Sequence, residues 1–200
     1  MSKDDVKKPV VGLLALQGAF AAHGEMLRRL GAETVEVRKP DQANGVDGLV
    51  IPGGESTTLL RLMREYAFDE TIRLFASSER PVLATCMGLI LLARKVTGPE
   101  QESLGLLDVS VERNAYGRQV DSFEATGDVA GRPFPMIFIR APRILAMGKN
   151  VEVIGSLNGE PVLVREKNIL AATFHPELSG DPAVHGIFLD MIAKTKRADS

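Results

Sequence analysis

The sequence predicts an α/β protein with a mostly parallel sheet in its first half and antiparallel strands in its second half. In the first half, short apolar runs alternate with amphipathic helical patterns, which is typical of parallel strands covered by helices on both faces. Between residues 104 and 174, strand-like segments follow one another with few helical patterns between them. Within that region Asn158-Gly159 separates two strand-like runs, 151–157 and 162–164, and predicts a hairpin turn.

Four strands and three helices are predicted in the first half. The strands are residues 10–16, 34–37, 48–51 and 81–85. The first helix has Phe20, Leu27 and Leu30 on one face and ends at Gly31. The second helix has an apolar face formed by Leu59, Leu62, Met63 and Tyr66. The third helix begins at residues 88–93. Repeated βα units imply right-handed crossovers, so a ligand is expected at the carboxyl ends of the strands.

The second half ends with a predicted strand at residues 169–174 and a final helix. Asp181 is predicted to cap that helix and Pro182 to occupy its first position. Its apolar face consists of Val184, Ile187, Phe188, Met191 and Ile192. No internal repeat, low-complexity tract or linker divides the sequence, so residues 1–200 are predicted to form a single domain.

The composition excludes several classes of function. A net charge of −2 without a long basic cluster argues against nucleic acid as a partner. One cysteine excludes an internal disulfide and a Cys-rich zinc site, and neither a metal nor a cofactor is expected. No apolar run approaches the ~20 residues of a membrane span, so no membrane is expected as a partner. Since a free thiol is typical of a reducing compartment, and Asp4 and Asp5 argue against a cleaved signal, a cytoplasmic protein is predicted.

Cys86, the single cysteine, lies between a predicted strand and a predicted helix. A lone cysteine beside apolar neighbours is usually a small buried hydrophobic residue. The strand-to-helix turn favours another interpretation, because such a turn presents a nucleophile and directs the first helical amides at its target. A helix amino terminus and a neighbouring histidine both favour the reactive thiolate over the thiol.

Three histidines are candidates for the base that would assist Cys86. His23 lies on the apolar face of the first helix and is predicted to be a packed or surface residue, while His185 is predicted to make a structural hydrogen bond. His175 ends a predicted strand, and Glu177 follows two positions later. In an extended segment these two side chains point the same way, so the carboxylate would orient the imidazole. The alternative for this His-Pro-Glu segment is an ordinary turn, but together with the cysteine it favours a Cys-His-Glu hydrolase.

A glycine pair lies between the third strand and the second helix, in the segment Ile51-Pro52-Gly53-Gly54-Glu55-Ser56-Thr57-Thr58. Such a pair lets the backbone approach a ligand and offers amide donors. A phosphate cradle is one interpretation, although the lysine of a P-loop is missing. An oxyanion hole is the second, with one donor from this loop at Gly54 and one from Met87. The third is a tight turn in which Ser56 or Thr57 caps the helix.

Three separated motifs together resemble the class I, or triad, glutamine amidotransferases. They are Gly53-Gly54-Glu55-Ser56-Thr57, Thr85-Cys86-Met87-Gly88-Leu89-Ile90-Leu91-Leu92-Ala93 and His175-Pro176-Glu177-Leu178. Over residues 10–192 the chain is similar to the glutaminase subunits of pyridoxal 5′-phosphate synthase. The supporting segments are Ala15-Leu16-Gln17-Gly18-Ala19-Phe20, Val111-Glu112-Arg113-Asn114-Ala115-Tyr116-Gly117-Arg118-Gln119 and Phe138-Ile139-Arg140-Ala141-Pro142.

The resemblance implies a flavodoxin-like, three-layer fold and the hydrolysis of L-glutamine to glutamate and ammonia. Cys86 would attack the side-chain amide, His175 would transfer protons and Glu177 would orient His175. The residues that would hold glutamine are Gly54, Glu55 and Ser56 through their backbone, with Arg113, Ile139 and Arg140. The chain departs from the family pattern at Ala84 and Met87, where glycine and alanine are common, and both departures bear on how the substrate fits.

The resemblance also implies a partner, because ammonia released by a lone glutaminase would be lost. In the family the partner is a (β/α)8-barrel synthase subunit, assembled with the glutaminase as nominally twelve copies of each. Two other interpretations stay open. In the first, the chain is an enzyme of another kind, either the glutaminase subunit of a different class I amidotransferase or a related cysteine hydrolase. In the second, it is an inactive relative that acts as a scaffold or regulator.

Overall fold

The computed structural model describes residues 8–113, 115 and 122–198. The strands are β1 (Val10–Leu14), β2 (Glu33–Val37), β3 (Gly48–Ile51), β4 (Val82–Thr85), β5 (Ala93–Thr97), β6 (Leu107–Glu112), β7 (Ser122–Val129), β8 (Arg132–Ile139), β9 (Arg143–Met147), β10 (Glu152–Leu157), β11 (Glu160–Glu166) and β12 (Ile169–Ala172). The helices are α1 (Phe20–Arg29), α2 (Ser56–Glu65), α3 (Phe68–Ser77), α4 (Met87–Leu92) and α5 (Ala183–Ala198). None of these described helices has the length and apolar character that crossing a membrane requires.

Nine strands form one large sheet in the order β2-β1-β3-β4-β12-β11-β10-β7-β8. The first five strands of that order run parallel to one another, and the remaining neighbouring pairs, from β12–β11 onward, are antiparallel. The hairpin predicted at Asn158-Gly159 joins β10 to β11. Strands β5, β6 and β9 form a separate small sheet. The predicted α/β class, with a parallel first half and antiparallel strands in the second, is therefore confirmed.

Two buried apolar clusters cover the two faces of the large sheet and produce three layers. In β3, Leu49 and Ile51 belong to one cluster and Val50 to the other, because successive strand residues point to opposite faces. The helical members include Met63, Phe75 and Leu89 of α2, α3 and α4 on the first face, and Leu27 and Phe188 of α1 and α5 on the second. Helices thus cover both faces, as parallel strands require.

Several boundaries differ from the predicted ones. Strand β1 ends at Leu14 instead of residue 16, and α3 is a helix that the sequence analysis did not predict. The apolar stretch 88–93 does not stay helical, since α4 ends at Leu92 and Ala93 begins β5. The chain turns there because residues 104–106 bond back to it, with the amide of Gly105 donating to the carbonyl of Ala93. The predicted helix start is therefore confirmed, but its extension to Ala93 was wrong, because a fully buried apolar run lacks the periodicity that distinguishes helix from strand.

Helix α5 begins at Ala183, one residue after the predicted start, and the Asp181 carboxylate accepts a hydrogen bond from the Ala183 amide at 2.9 Å. Gly186 lies in the first turn, and a Cβ added there would meet nothing within 4 Å. We therefore expect Gly186→Ala to raise the free energy of unfolding by about 0.5–1 kcal/mol, because glycine is a poor helix former. Urea unfolding would measure this change.

Gly31, which ends α1, provides a control of opposite sign. A Cβ at Gly31 also meets nothing within 4 Å, but its φ of +91° is unfavourable for any residue with a side chain. Gly31→Ala is therefore expected to lower the free energy of unfolding. If both substitutions lowered it, helix propensity would not be the quantity that determines the effect at Gly186.

Candidate active site

Cys86 lies at the junction of β4 and α4, with φ 49° and ψ −101°. A positive φ is uncommon for a residue with a side chain and marks strain that the surroundings must hold. The Cys86 amide donates to the carbonyl oxygen of Ala172 at 2.8 Å, so strand β12 fixes one side of the turn. Gly88 packs so closely against the carbonyl of Ile51 that a Cβ there would clash. These contacts hold the thiol at the carboxyl end of β4, with 6% of Cys86 exposed.

His175 and Glu177 follow β12, the strand beside β4. The two strands run parallel, with Thr85 opposite Ala172, so both lead to the same edge of the sheet. His175 Nδ1 lies 2.7 Å from Glu177 Oε1, and since an ionised carboxylate only accepts, Nδ1 is the donor. The expected extended segment was wrong, because Pro176–Leu178 is a 3₁₀ turn. The turn, rather than the alternation of a strand, brings the two side chains together.

The electrostatic environment favours a protonated His175 beside an ionised Glu177. Burial alone would lower the pKa of His175, but hydrogen bonds to Cys86 and Glu177, and the charges of both, raise that pKa to about 10. Burial would likewise raise the pKa of Glu177, but the proximity of His23 and the hydrogen bond and charge of His175 lower it. The thiol of Cys86 also lies 3.7 Å from the carbonyl oxygen of Ile139.

Two further histidines lie behind this group. His23 of α1 and His185 of α5 are both fully buried, and His23 Nδ1 lies 2.9 Å from His185 Nε2. His23 Nε2 lies 3.2 Å from Thr85 Oγ1 and 3.2 Å from Glu177 Oε2. Burial is the largest influence on both imidazoles; it lowers the pKa of His23 and lowers the pKa of His185 to about 3. The contact of His23 with Glu177 was not predicted, and the only sequence signal for it is a histidine on an apolar helix face.

The glycine loop after β3 is held from two sides. The Gly53 amide donates to Thr85 Oγ1 at 3.0 Å, and its carbonyl accepts from the amide of Ala19 at 3.2 Å. The side chain of Gln17 donates to the Glu55 carbonyl at 2.8 Å and accepts from the Glu55 amide at 3.2 Å. Gln17 therefore fixes the backbone that begins α2 at Ser56, a role that the sequence analysis missed.

A cavity of about 160 Å³ lies between this loop, the Cys86 turn and the end of β8. It is lined by Gly54, Glu55, Cys86, Met87, Ile90, Arg113, Ile139, Arg140 and His175. The structure thus brings together on one cavity most of the residues that the sequence analysis selected. Glu177 lies behind His175. Within the segment 111–119 of the resemblance, Asn114 and residues 116–119 lie outside the described residues.

Two features of this cavity bear on what it holds. Its volume is well below the roughly 300–1,000 Å³ that is usual for drug-sized ligands, so it suits a small molecule. Among the described residues, no group of three or more His, Cys, Asp or Glu side chains is arranged to hold a metal ion. Met87 lines the cavity but also belongs to a buried apolar cluster, and Ala84 is wholly buried in β4.

Known proteins resemble the chain over most of its length. Residues 13–194 match the family model of the SNO glutamine amidotransferase family. The pyridoxal 5′-phosphate synthase subunit PdxT of Thermotoga maritima is 51% identical over 185 residues, which cover 91% of this chain and 98% of the relative. PdxT of Koribacter versatilis is 50% identical over 184 residues, covering 91% and 95%. A crystal structure of a glutamine amidotransferase superimposes with a TM-score of 0.86 at 47% identity, covering 92% of this chain and 98% of the other. The chain belongs to the SNO glutamine amidotransferase family.

Proposed function

We propose that this chain is the glutaminase subunit of pyridoxal 5′-phosphate synthase and hydrolyses L-glutamine to L-glutamate and ammonia. The observation that carries the proposal is a cysteine, a histidine and a carboxylate beside one small cavity, in a chain about half identical to two PdxT subunits. In this proposal Cys86, His175 and Glu177 act as a triad, and residues 1–200 act as one domain.

The reaction proceeds by covalent catalysis. The Cys86 thiolate adds to the carbon of the glutamine side-chain amide and forms a tetrahedral adduct. Protonated His175 gives its proton to the leaving nitrogen, the C–N bond breaks, and ammonia leaves a thioester on Cys86. His175 then removes a proton from water, whose oxygen attacks the thioester. Glutamate is released and the thiolate returns to its pairing with protonated His175.

The negative oxygen of each tetrahedral adduct needs hydrogen-bond donors. The backbone amides of Gly54 and Met87 are the proposed pair, since both residues line the same cavity as Cys86. Removing one such donor usually lowers kcat by about 10²–10³-fold, so these amides make a large contribution to rate. The two hydrogen bonds between the Gln17 side chain and the Glu55 backbone support this role, because they restrain the backbone next to Gly54.

The cavity also has positive charge that suits the α-carboxylate of an amino acid substrate. Arg113 and Arg140 line it, and a guanidinium binds a carboxylate through two parallel hydrogen bonds. We assign Arg113 to the α-carboxylate of glutamine. The backbone of Gly54, Glu55 and Ser56, with Ile139 and Arg140, holds the rest of the substrate. Arg140 has a φ of 43°, a strained conformation of the kind that occurs often at binding sites.

A synthase subunit is the proposed partner, as the names of the PdxT relatives imply for those proteins. The partner would be a (β/α)8 barrel that receives the ammonia, in a complex of twelve copies of each chain. A cytoplasmic location belongs to the same proposal, since a reducing compartment preserves the free thiol of Cys86.

The test is ammonia release from L-glutamine, measured with and without the purified barrel subunit. Ammonia that appears with the barrel subunit, accompanied by co-elution of the two proteins, supports the assignment. Release that is unaffected by the barrel subunit would favour another amidotransferase or a free-standing hydrolase. Absence of release under both conditions would favour an inactive scaffold.

A further inference from the structure

The second oxygen of Glu177 has an unusual environment. Oε1 accepts the hydrogen bond from His175, but Oε2 is buried and forms no hydrogen bond of good geometry with the described residues. The Glu177 side chain is wholly buried. Leaving a buried charged acceptor without a donor is strongly unfavourable. The nearest compensation is His23 Nε2, which lies 3.2 Å from Oε2.

The proton on His23 can be assigned from its neighbours. Nε2 lies 3.2 Å from both Thr85 Oγ1 and Glu177 Oε2. A hydrogen on Nε2 has an acceptor in each of these oxygens, whereas a bare lone pair there would repel the ionised Oε2, so Nε2 carries the hydrogen and Nδ1 is an acceptor. His185 Nε2, which lies 2.9 Å from that Nδ1, must then be a donor. His185 Nδ1 is left as a buried lone pair without a partner among the described residues. With the opposite tautomers, His185 Nδ1 would carry a buried N–H without a partner, and the lone pair of His23 Nε2 would face the Glu177 carboxylate.

We propose that His23 is a positioning residue for the glutaminase reaction, which holds Glu177 ionised and directed at His175, and that His185 fixes the tautomer of His23 that does so. The inference rests on the proposed function. It gives each of the three buried histidines a separate task. His175 faces the substrate, His23 donates to the back of the carboxylate, and His185 selects the nitrogen of His23 that donates. A hydrogen bond on one ring nitrogen commonly sets the state of the other in this way.

The charged and titratable groups around Glu177 agree with this arrangement. Among the described residues they are His175, Cys86 beside it, His23 from α1 and His185 from α5. Burial lowers the pKa of His23, so at neutral pH it acts as a neutral donor. A donor to the ionised form of a carboxylate lowers its pKa. Removing that donor should therefore raise the pKa of Glu177 and bring its protonation closer to neutral pH.

The first experiment compares His23→Leu with His23→Gln in the complex with the barrel subunit. Leucine removes the donor, whereas the amide of glutamine replaces the Nε2–H group. We expect His23→Leu to lower kcat/KM for glutamine about 10- to 100-fold at neutral pH, with the acid limb of the pH profile moved upward by about one pH unit. His23→Gln should restore most of both. Equal pH profiles for His23→Leu and the wild type would overturn the proposal.

The second experiment does not depend on turnover. Two-bond ¹H–¹⁵N correlations on the wild-type chain identify the protonated ring nitrogen of each histidine. We expect His23 to carry its hydrogen on Nε2, and the His185→Leu variant to show a mixture of tautomers. A hydrogen on His23 Nδ1 in the wild type would contradict the inference, as would an unmixed Nε2–H form in His185→Leu.

These experiments separate the inference from the function on which it rests. If the wild-type complex releases no ammonia, the proposed glutaminase function fails. The NMR spectra of the histidine rings still show which nitrogen of His23 carries the hydrogen. If the wild type is active and His23→Leu has the same pH profile of kcat/KM as the wild type, only the positioning role of His23 fails. Thermal unfolding of each variant controls for loss of folded protein, and the wild-type spectra identify the tautomer of His23 even if His23→Leu does not fold.

Discussion

Cys86→Ala is expected to abolish ammonia release from L-glutamine in the complex with the barrel subunit. Without the thiolate no covalent adduct forms, and the remaining donors cannot activate water for attack on an amide. Removing a nucleophile from a comparable triad lowers kcat by about 10⁶-fold, so the residual rate should lie at the detection limit. Ammonia release by a coupled assay, with glutamine binding by calorimetry, would separate lost chemistry from lost binding.

The same variant tests the electrostatic pairing in the site. The hydrogen bond and charge of Cys86 are among the causes that raise the pKa of His175 to about 10, against the effect of burial. The alanine variant should therefore titrate His175 at lower pH than the wild type, as measured by NMR of its ring. The charge of Glu177 still supports the protonated form, so the pKa should fall only in part. An unchanged titration would mean that the thiol does not pair with His175.

The features that could be predicted from sequence are those with a local cause. The turn at Cys86 follows from an apolar strand that stops and a helix that begins, and the glycine loop follows from its own residues. The contact of His175 with Glu177 was also predicted, although a 3₁₀ turn brings it about instead of an extended strand. The three-layer fold followed from alternating strand and helix patterns, together with the resemblance.

What could not be predicted depends on which distant elements become neighbours. Strand β4 pairs with β12 across most of the second half of the chain, and only that pairing places Cys86 beside His175. The contact of His23 with His185 joins residues 162 positions apart. Local patterns carry no information on such pairings, so His23 was predicted to be only a packed or surface residue. The helix after Cys86 was predicted, but its change to strand β5 at Ala93 was not, because a run that is buried on all sides has no periodicity.

Gly53→Ala is expected to remove most of the activity while leaving the fold intact. A Cβ at Gly53 would overlap Cε1 of His175 and lie 3.1 Å from its Nδ1 and 3.3 Å from Cys86 Cβ. The backbone of Gly53 does not have a positive φ, so alanine is acceptable locally and the strain falls on the imidazole. The ring must move away from its place between Cys86 and Glu177. A misplacement of about 1 Å in an active site can lower the rate about 10²-fold, and we expect a loss of at least that size in kcat.

Gly45→Ala is the matched control, because a Cβ at Gly45 would meet nothing within 4 Å. Both variants add one methyl group to a loop, but only Gly53→Ala adds it against His175. The control should keep the kcat and the stability of the wild type, whereas Gly53→Ala should lower the free energy of unfolding by about 1–3 kcal/mol, the usual range for overpacking. Binding of glutamine to Gly53→Ala should change less than kcat, since the displaced ring acts on protons. If Gly53→Ala kept full kcat, displacement of the His175 ring would not affect the reaction. The assignment of His175 as the proton-transferring group would then fail.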